Sequence, residues 1–546
     1  MRNPFPSSLL RTLAIAAFTL AASAAFAAPK NPVVATKEGA VRGVRSGGID
    51  RYLGIPYAAA PVGDLRWQPP QPHGRWTGVR DATRFADHCP QGASPFGLAS
   101  TSEDCLFLNV FTPARGGDGS DKADDGDGAS DGDRAGDEGE EGLPVMVWIH
   151  GGALLVGESD DYDPVRLVQQ GVLVVTLNYR LGVLGFFAHP ALSAGSPDHT
   201  SGNDGLMDQQ AALRWVQRNI AAFGGDRHRV TIFGESAGGL SVHSQLASPL
   251  SAGLFHRAIV QSGAYALSQP SLAQAETQGS AVASLAGCAA QTAACLRAAS
   301  VETLLAALAA TRTASVVPDV DGKVLTQTIG AAFASGQFNR VPVIEGSNHD
   351  EWRLFVALDF DLVSGRLMPA QYTSAIAATL GVPLPTAAFL ASRYLVASYP
   401  STDLALSALG TDAIFACNSR KAVRLLSQYV PTHAYEFNDE NAPQLFLPPV
   451  SFPYGSAHAS EIQYLLNLRS QIPHPALTAD QERLSTAMVG YWTNFARLGD
   501  PNWLGTPFWP AYERATDTMQ SLVAPAPARE SGFAADHKCE FWAPTP

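Results

Sequence analysis

The sequence predicts an α/β protein built on a central, mostly parallel sheet with helices on both faces. Two observations carry that prediction: short apolar runs rich in β-branched residues recur along the chain, and helix-compatible stretches lie between them. A third supports it, since 546 residues at 46% hydrophobic and 16% charged have the composition of a globular protein with a sizeable core. In chain order the runs are Val145–Ile149, Val172–Leu177, Val230–Phe233, Ala258–Gln261 and Val341–Ile344, each read as a buried strand. Between the second and third, Gly205–Phe223 reads as a helix. No period of the length seen in repeat arrays recurs.

With 37 basic against 50 acidic side chains the net charge is -13. That excludes a basic nucleic-acid binder, because no surplus of Lys or Arg exists to displace counterions from phosphates. A cationic substrate is the tempting alternative, but the charge is unevenly placed. Residues 116–142 hold eleven acids and two bases, a net -9, in a stretch almost wholly Asp, Glu, Gly, Ala and Ser. It cannot bury enough apolar surface to offset its ordering entropy and reads as a disordered acidic loop inserted into the body. A calcium loop is the rival, since Asp131, Asp133 and Gly136 match parts of that pattern. Ala135 and Gly142 stand where it needs an oxygen ligand and a bidentate Glu.

Residues 1–27 carry Arg2 and Arg11, an apolar stretch from Leu13 and the small-x-small triplet Ala25, Phe26, Ala27. This is a secretory signal peptide with cleavage expected before Ala28, and its apolar run is shorter than the ~20 residues a membrane span needs. Residues 28–546 are expected to form one domain, periplasmic or secreted, with no stable membrane anchor; Trp542–Pro546 carries no lipid-anchor or retention signal. The six cysteines of an exported chain, Cys89, Cys105, Cys288, Cys295, Cys417 and Cys539, point to disulfides. Joining sequence neighbours gives Cys89 with Cys105 and Cys288 with Cys295, leaving Cys417 with Cys539, but sequence alone does not choose among the connectivities. No spacing resembles a zinc site, and no metal is expected.

The pattern Gly-x-Ser-x-Gly occurs at Gly128–Gly132 and at Gly234–Gly238. Chance supplies roughly 0.3 such matches in a chain this rich in glycine, so context decides. Ser130 sits in the acidic stretch with no strand before it and no helix after it. Ser236 follows Val230–Phe233 and precedes a helix-compatible run from Ala237, the strand-turn-helix that exposes a serine nucleophile. Such a serine needs a base, an acid to orient the base, and donors for an oxyanion. His150, Gly151, Gly152 and Ala153 follow a buried strand in a loop whose N–H groups can face a ligand. The base is one of thirteen histidines, and no local rule selects it.

A wider set of motifs stands in order along the chain. It includes Tyr52–Tyr57 (YLGIPY), Pro61–Trp67 (PVGDLRW), Ser102–Val110 (SEDCLFLNV), Val145–Gly152 (VMVWIHGG), Asn178–Gly182 (NYRLG), Gly202–Gln209 (GNDGLMDQ), Phe223–Gly239 (FGGDRHRVTIFGESAGG), Phe255–Gly263 and Tyr491–Asn502 (YWTNFARLGDPN). Taken together, the set resembles the type-B carboxylesterase and cholinesterase family of α/β-hydrolases over most of the mature chain. The resemblance implies Ser236 as nucleophile, Glu351 as acid and His458 as base, in the chain order expected of that fold. It implies the N–H groups of Gly152, Ala153 and Ala237 as oxyanion donors, and the disulfides Cys89–Cys105, Cys288–Cys295 and Cys417–Cys539. Arg66 with Glu103 and Arg180 with Asp208 resemble the family's structural ion pairs.

Departures from the family pattern matter as well. Trp352 stands where the family usually has Gly and is expected to crowd the turn, with Asp350 the less favoured acid. Ala153 replaces the commoner third Gly, and Arg227 a frequent Pro. The stretch between Cys89 and Cys105 contains no Trp, where cholinesterases carry the cation-binding indole, so a quaternary ammonium loses its main cation–π partner. The function implied is hydrolysis of a small carboxylic ester through an acyl-enzyme, without cofactor. Its rivals are a lipase of the same fold and a non-catalytic binding module; the latter kind typically lacks a nucleophile or acid that this chain keeps.

Overall fold

The computed structural model describes residues 31–114, 142–311, 316–469 and 472–542. The expected signal peptide and the acidic loop up to Glu141, with Ser130, lie outside the described residues.

One sheet of eleven strands organises the chain. Seven adjacent strands are parallel, in spatial order Leu173–Leu177, Leu143–Ile149, Gly225–Glu235, Arg257–Gln261, Val343–Asn348, Thr432–Phe437 and Met519–Leu522. Antiparallel strands extend both ends: Phe107–Pro113, Ile49–Pro56 and Val44–Ser46 beyond Leu173–Leu177, and Ala528–Glu530 beyond Met519–Leu522.

The continuous apolar runs have a direct cause. Val145, Val147 and Ile149 face a core shared with Leu213, Trp215 and Leu240 of the helices Asp204–Asn219 and Ala237–Ala247. Met146 and Trp148 face a second core with Met488, Trp492 and Phe495 of the helix Ala479–Leu498. A strand covered on both faces has no solvent side on which to alternate polar residues. In register, Val147 sits between Val175 and Ile232, so this β-branched side chain packs on like neighbours.

The expected Val230–Phe233 strand lengthens to Gly225–Glu235, and the expected Val341–Ile344 strand runs instead from Val343 to Asn348. Pro342 has no N–H for a ladder, and the strand continues through the buried polar residues Glu345, Ser347 and Asn348 toward the site. The expected Gly205–Phe223 helix is an α-helix to Asn219 and a 3₁₀ turn, Ile220–Phe223, closed by Gly224 at φ 91°.

Helices between Arg353 and Gly410 build a small core of their own, including Leu354, Ile376, Leu390 and Leu406, beyond the C-terminal end of Val343–Asn348. The disulfides join Cys89 to Cys105, Cys288 to Cys295 and Cys417 to Cys539. Arg66 and Glu103 form a bidentate pair at 2.5 and 2.7 Å, and Arg180 pairs with Asp208 at 2.7 and 2.8 Å. No single helix among the described residues is long and apolar enough to cross a membrane.

The acidic stretch is spliced between Ala114 and Gly142. Phe107–Pro113 runs antiparallel to its neighbour, so Pro113 and Leu143 both lie at the N-terminal edge of the parallel strands. Two backbone bonds fix this junction, Ala114 N–H to Gly48 O and Leu143 N–H to Gly224 O, both 2.8 Å.

Candidate active site

The C-terminal edge of the parallel strands gathers the residues singled out by sequence. Gly225–Glu235 ends and Ala237–Ala247 begins with Ser236 alone between them, at φ 56° and ψ -120°. A serine there is strained and has to be held by its surroundings. Its N–H donates to Gln261 O at 2.8 Å, and its carbonyl accepts from Leu240 N at 2.9 Å. The flanking glycines are steric requirements: a Cβ on Gly238 would lie 1.9 Å from Ile149 O, and one on Gly234 within 2.6 Å of the Gly238 backbone.

Glu351 follows the strand Val343–Asn348, and His458 lies in a loop against it. Glu351 Oε2 and His458 Nδ1 are 2.5 Å apart. The other carboxylate oxygen, Oε1, accepts from the Asn348 N–H at 2.8 Å, and the His458 N–H donates to Glu351 O at 3.3 Å. Glu351 is fully buried and His458 nearly so. Phe415 and Phe355 flank the imidazole with ring centres 4.8 and 5.1 Å away, which fixes its plane.

His458 Nε2 faces Glu235 Oε1 at 3.2 Å. Ser236 and His458 line one cavity of about 270 Å³, and among the described residues the Ser236 hydroxyl makes no hydrogen bond. Gly152 (φ 96°) and Ala153 (φ 56°) border the same cavity, and Ala237 opens the helix beside Ser236. None of these three N–H groups donates a hydrogen bond among the described residues. His150, at the root of that loop, stacks on Tyr179 at 4.5 Å. Burial pushes its pKa down to about 4, so it serves as a neutral packing residue.

Sequence reasoning missed the carboxyls around the imidazole. Glu461 Oε1 accepts from Gln261 Nε2 at 3.0 Å and Oε2 from Asn348 Nδ2 at 2.7 Å. Gln261 Oε1 in turn accepts from Trp492 Nε1 at 3.1 Å. A buried chain of hydrogen bonds thus runs from Trp492 through Gln261, Glu461 and Asn348 to Glu351 and His458, and each link stiffens the next. Available signals were Glu235 immediately before Ser236 and Glu461 three residues after His458, about one turn.

Buried carboxyls gathered around one imidazole make one another's ionisation more costly. Burial raises the pKa of Glu235 well above the usual carboxylate range, with Glu461 and Glu351 adding to it against His458. Burial likewise raises that of Glu461, against its hydrogen bonds. Burial pulls His458 down, but the carboxylates of Glu235 and Glu351 outweigh it and lift the imidazole to about 9.

The cavity wall is apolar, with Phe96, Leu155, Leu354, Phe355 and Phe446 among its lining, and Asp161 and Arg469 stand at one end. Beside that end His88 bridges Glu158 at 2.6 Å and Asp160 at 3.1 Å. Hydrogen bonds to Asp160 and Glu158 raise His88 to about 10, so this partly buried knot holds its own counter-charge.

The model of the carboxylesterase family matches residues 30–542. The chain belongs to the carboxylesterase family. Over 94% of its length this carboxylesterase is 35% identical to a pyrethroid hydrolase of Rattus norvegicus, covering 90% of that protein. It is 35% identical to a cocaine esterase of Homo sapiens over 92% of the chain and 88% of that protein. It is 34% identical to the para-nitrobenzyl esterase of Bacillus subtilis over 90% and 94%. These relatives are esterases and hydrolases, and the chain is a carboxylic ester hydrolase with the α/β-hydrolase fold.

One expectation changes in this carboxylesterase. Trp352 does not crowd the turn, because its backbone is right-handed (φ -75°, ψ -7°) and the indole occupies space left by Gly410, where a Cβ would lie 2.2 Å from Trp352 Cγ. The Cys89–Cys105 loop has no Trp but supplies Phe96 to the cavity, beside Phe446 at 5.2 Å. Asp350 turns away to Arg353 at 2.8 Å and to the Ser456 N–H at 3.1 Å.

Proposed function

We propose that the protein cleaves carboxylic esters through an acyl-enzyme on Ser236, with His458 as general base and acid and Glu351 as its orienting carboxylate. The 2.5 Å contact between Glu351 and His458 at the wall of the cavity that Ser236 enters carries this reading. As ester binds, Nε2 closes on Ser236 Oγ, a contact that commonly tightens only in the complex. Oγ attacks the carbonyl carbon while Nε2 takes its proton, and Glu351 stabilises the imidazolium. The oxyanion meets the N–H groups of Gly152, Ala153 and Ala237, each worth about 10² to 10³ in rate. Collapse expels the alcohol, protonated by Nε2, and water then repeats the cycle on the acyl-enzyme.

A cavity of about 270 Å³ with an apolar wall suits esters of short to medium acyl chain. Residues 28–546 act as one exported catalytic domain, a reading that the three disulfides support. Ser236→Ala is expected to abolish p-nitrophenyl butyrate turnover with an unchanged circular dichroism spectrum and to abolish labelling by an organophosphate. Retained turnover, or labelling elsewhere, overturns the assignment. Rates compared across acetyl, butyryl, octanoyl and palmitoyl esters should fall at the long end; a maximum at palmitoyl would make the protein a lipase instead.

A further inference from the structure

Outside the cavity, two histidines and a glutamate from three distant segments converge. His349 follows the strand Val343–Asn348, Glu436 lies within Thr432–Phe437, and His537 caps the short helix Phe533–Asp536. One ligand-capable atom of each lies within 4.8 Å of the other two, and the two imidazole centres are 5.3 Å apart.

Each imidazole is braced from behind by a carboxylate. His537 Nδ1 meets Asp412 Oδ1 at 2.7 Å, and His349 Nδ1 meets Asp350 Oδ1 at 3.2 Å. Both rings keep Nε2 as the nitrogen not held by its bracing acid, and His537 Nε2 stands 2.6 Å from Glu436 Oε1. Glu436 is itself oriented, since Oε2 accepts from Asn438 Nδ2 at 2.9 Å. A carboxylate on the far ring nitrogen fixes tautomer and orientation and strengthens the near one as a donor, which is how proteins back a metal-ligating histidine.

We propose that His349, Glu436 and His537 bind a divalent transition-metal ion of the zinc type. Two imidazoles and one carboxylate are ligands that Zn²⁺ accepts, and a tetrahedral ion at ~2.0–2.2 Å holds its ligand atoms about 3.3 Å apart. Glu436 Oε1 and His537 Nε2 therefore part by under about 1 Å as the ion displaces the proton between them. The His349 side chain is 38% exposed, which gives the ion a way in and leaves a coordination position to solvent. Positions 349, 436 and 537 are too far apart for sequence spacing to announce a site. Bound metal ties the start of the loop that carries Glu351 to the strand Thr432–Phe437 and to the segment ending in the Cys417–Cys539 disulfide. The rival occupant is a proton, with His537 an imidazolium between Asp412 and Glu436.

Isothermal titration calorimetry with zinc chloride on the purified, untagged chain, stripped with chelator, separates the two. One ion per chain is expected, with affinity lower by at least about tenfold in His349→Ala and in Glu436→Gln, as ligand loss should match or exceed second-sphere effects. His474→Ala, at an exposed histidine elsewhere, is expected to leave binding unchanged. His349 lies at the surface, so its variant keeps the test valid should Glu436→Gln fail to fold. Absence of saturable binding tighter than about 1 mM, or equal binding by His349→Ala and the parent, overturns the proposal and leaves the proton as occupant.

Discussion

Glu351→Gln probes the candidate site at its most informative atom pair. The carboxylate serves two donors at once: Oε1 accepts from the Asn348 N–H at 2.8 Å and Oε2 contacts His458 Nδ1 at 2.5 Å. Glutamine has one acceptor oxygen. If that oxygen stays on the Asn348 N–H, the amide NH₂ faces Nδ1 and makes it an acceptor. The imidazole proton then sits on Nε2, where it blocks removal of the Ser236 proton. If the amide flips, the productive tautomer returns but NH₂ opposes the Asn348 N–H, leaving a buried donor unpaired at about 1–3 kcal/mol. That rotamer is then populated at roughly one part in ten to one in a hundred. Loss of the negative charge beside the imidazolium adds to this, and the loss in kcat should approach the ~10⁴ known for an acid-to-amide change in such a triad, about 5.4 kcal/mol.

Hydrolysis of p-nitrophenyl butyrate followed over a range of pH is the assay, with circular dichroism to confirm folding. The acid limb of kcat/KM should also move to lower pH, because Glu351 is one of the groups lifting His458. A folded variant within about tenfold of the parent in kcat would refute Glu351 as the orienting acid.

Three further outcomes follow from the same geometry. His458 acts only when neutral, and Glu235 is the largest influence raising it to about 9; activity should therefore rise with pH from above 6.5 toward 9, and Glu235→Gln should shift that rise to lower pH, whereas an unmoved pH profile would contradict the pairing. Replacing Cys417 and Cys539 by Ala together opens a bridge across 122 residues and should cost about 2–5 kcal/mol in denaturant unfolding, with a loss near zero arguing against the bond. Deleting Gly117–Glu141 is expected to leave turnover of a neutral ester within about threefold while changing solubility or salt response; a large loss would mean that the acidic stretch reaches the site.

How much of this was legible depended on range. The central strands announced themselves because Val145–Ile149 and Val172–Leu177 are buried on both faces, and Ser236 because strand, turn and helix are contiguous around it. His458 and Glu351 emerged only through resemblance to a family: 107 residues separate them, and neither has a local pattern that distinguishes it from other histidines and glutamates. The carboxyls around the imidazole were out of reach, although Glu235 and Glu461 were in plain view, because their contacts with His458, Gln261 and Asn348 exist only once three strands and a loop have met. Trp352 shows the opposite failure. An unusual residue looked disruptive because its compensation, Gly410, lies 58 positions away in the chain.

The splice at Ala114 and Gly142 has a consequence for how this protein can change. From Leu143 to Ile149 the strand spans roughly 20 Å, and Ser236 lies at the far end of that span from the splice. Lengthening a surface excursion costs only about 0.6 kcal/mol per doubling, and its attachment points are held by backbone bonds that do not depend on what is inserted. Net charge is therefore expected to be rewritable at this port with the chemistry unchanged, which the deletion of Gly117–Glu141 tests. A peptide tag or surface tether placed there would be rooted at the edge of the sheet opposite Ser236.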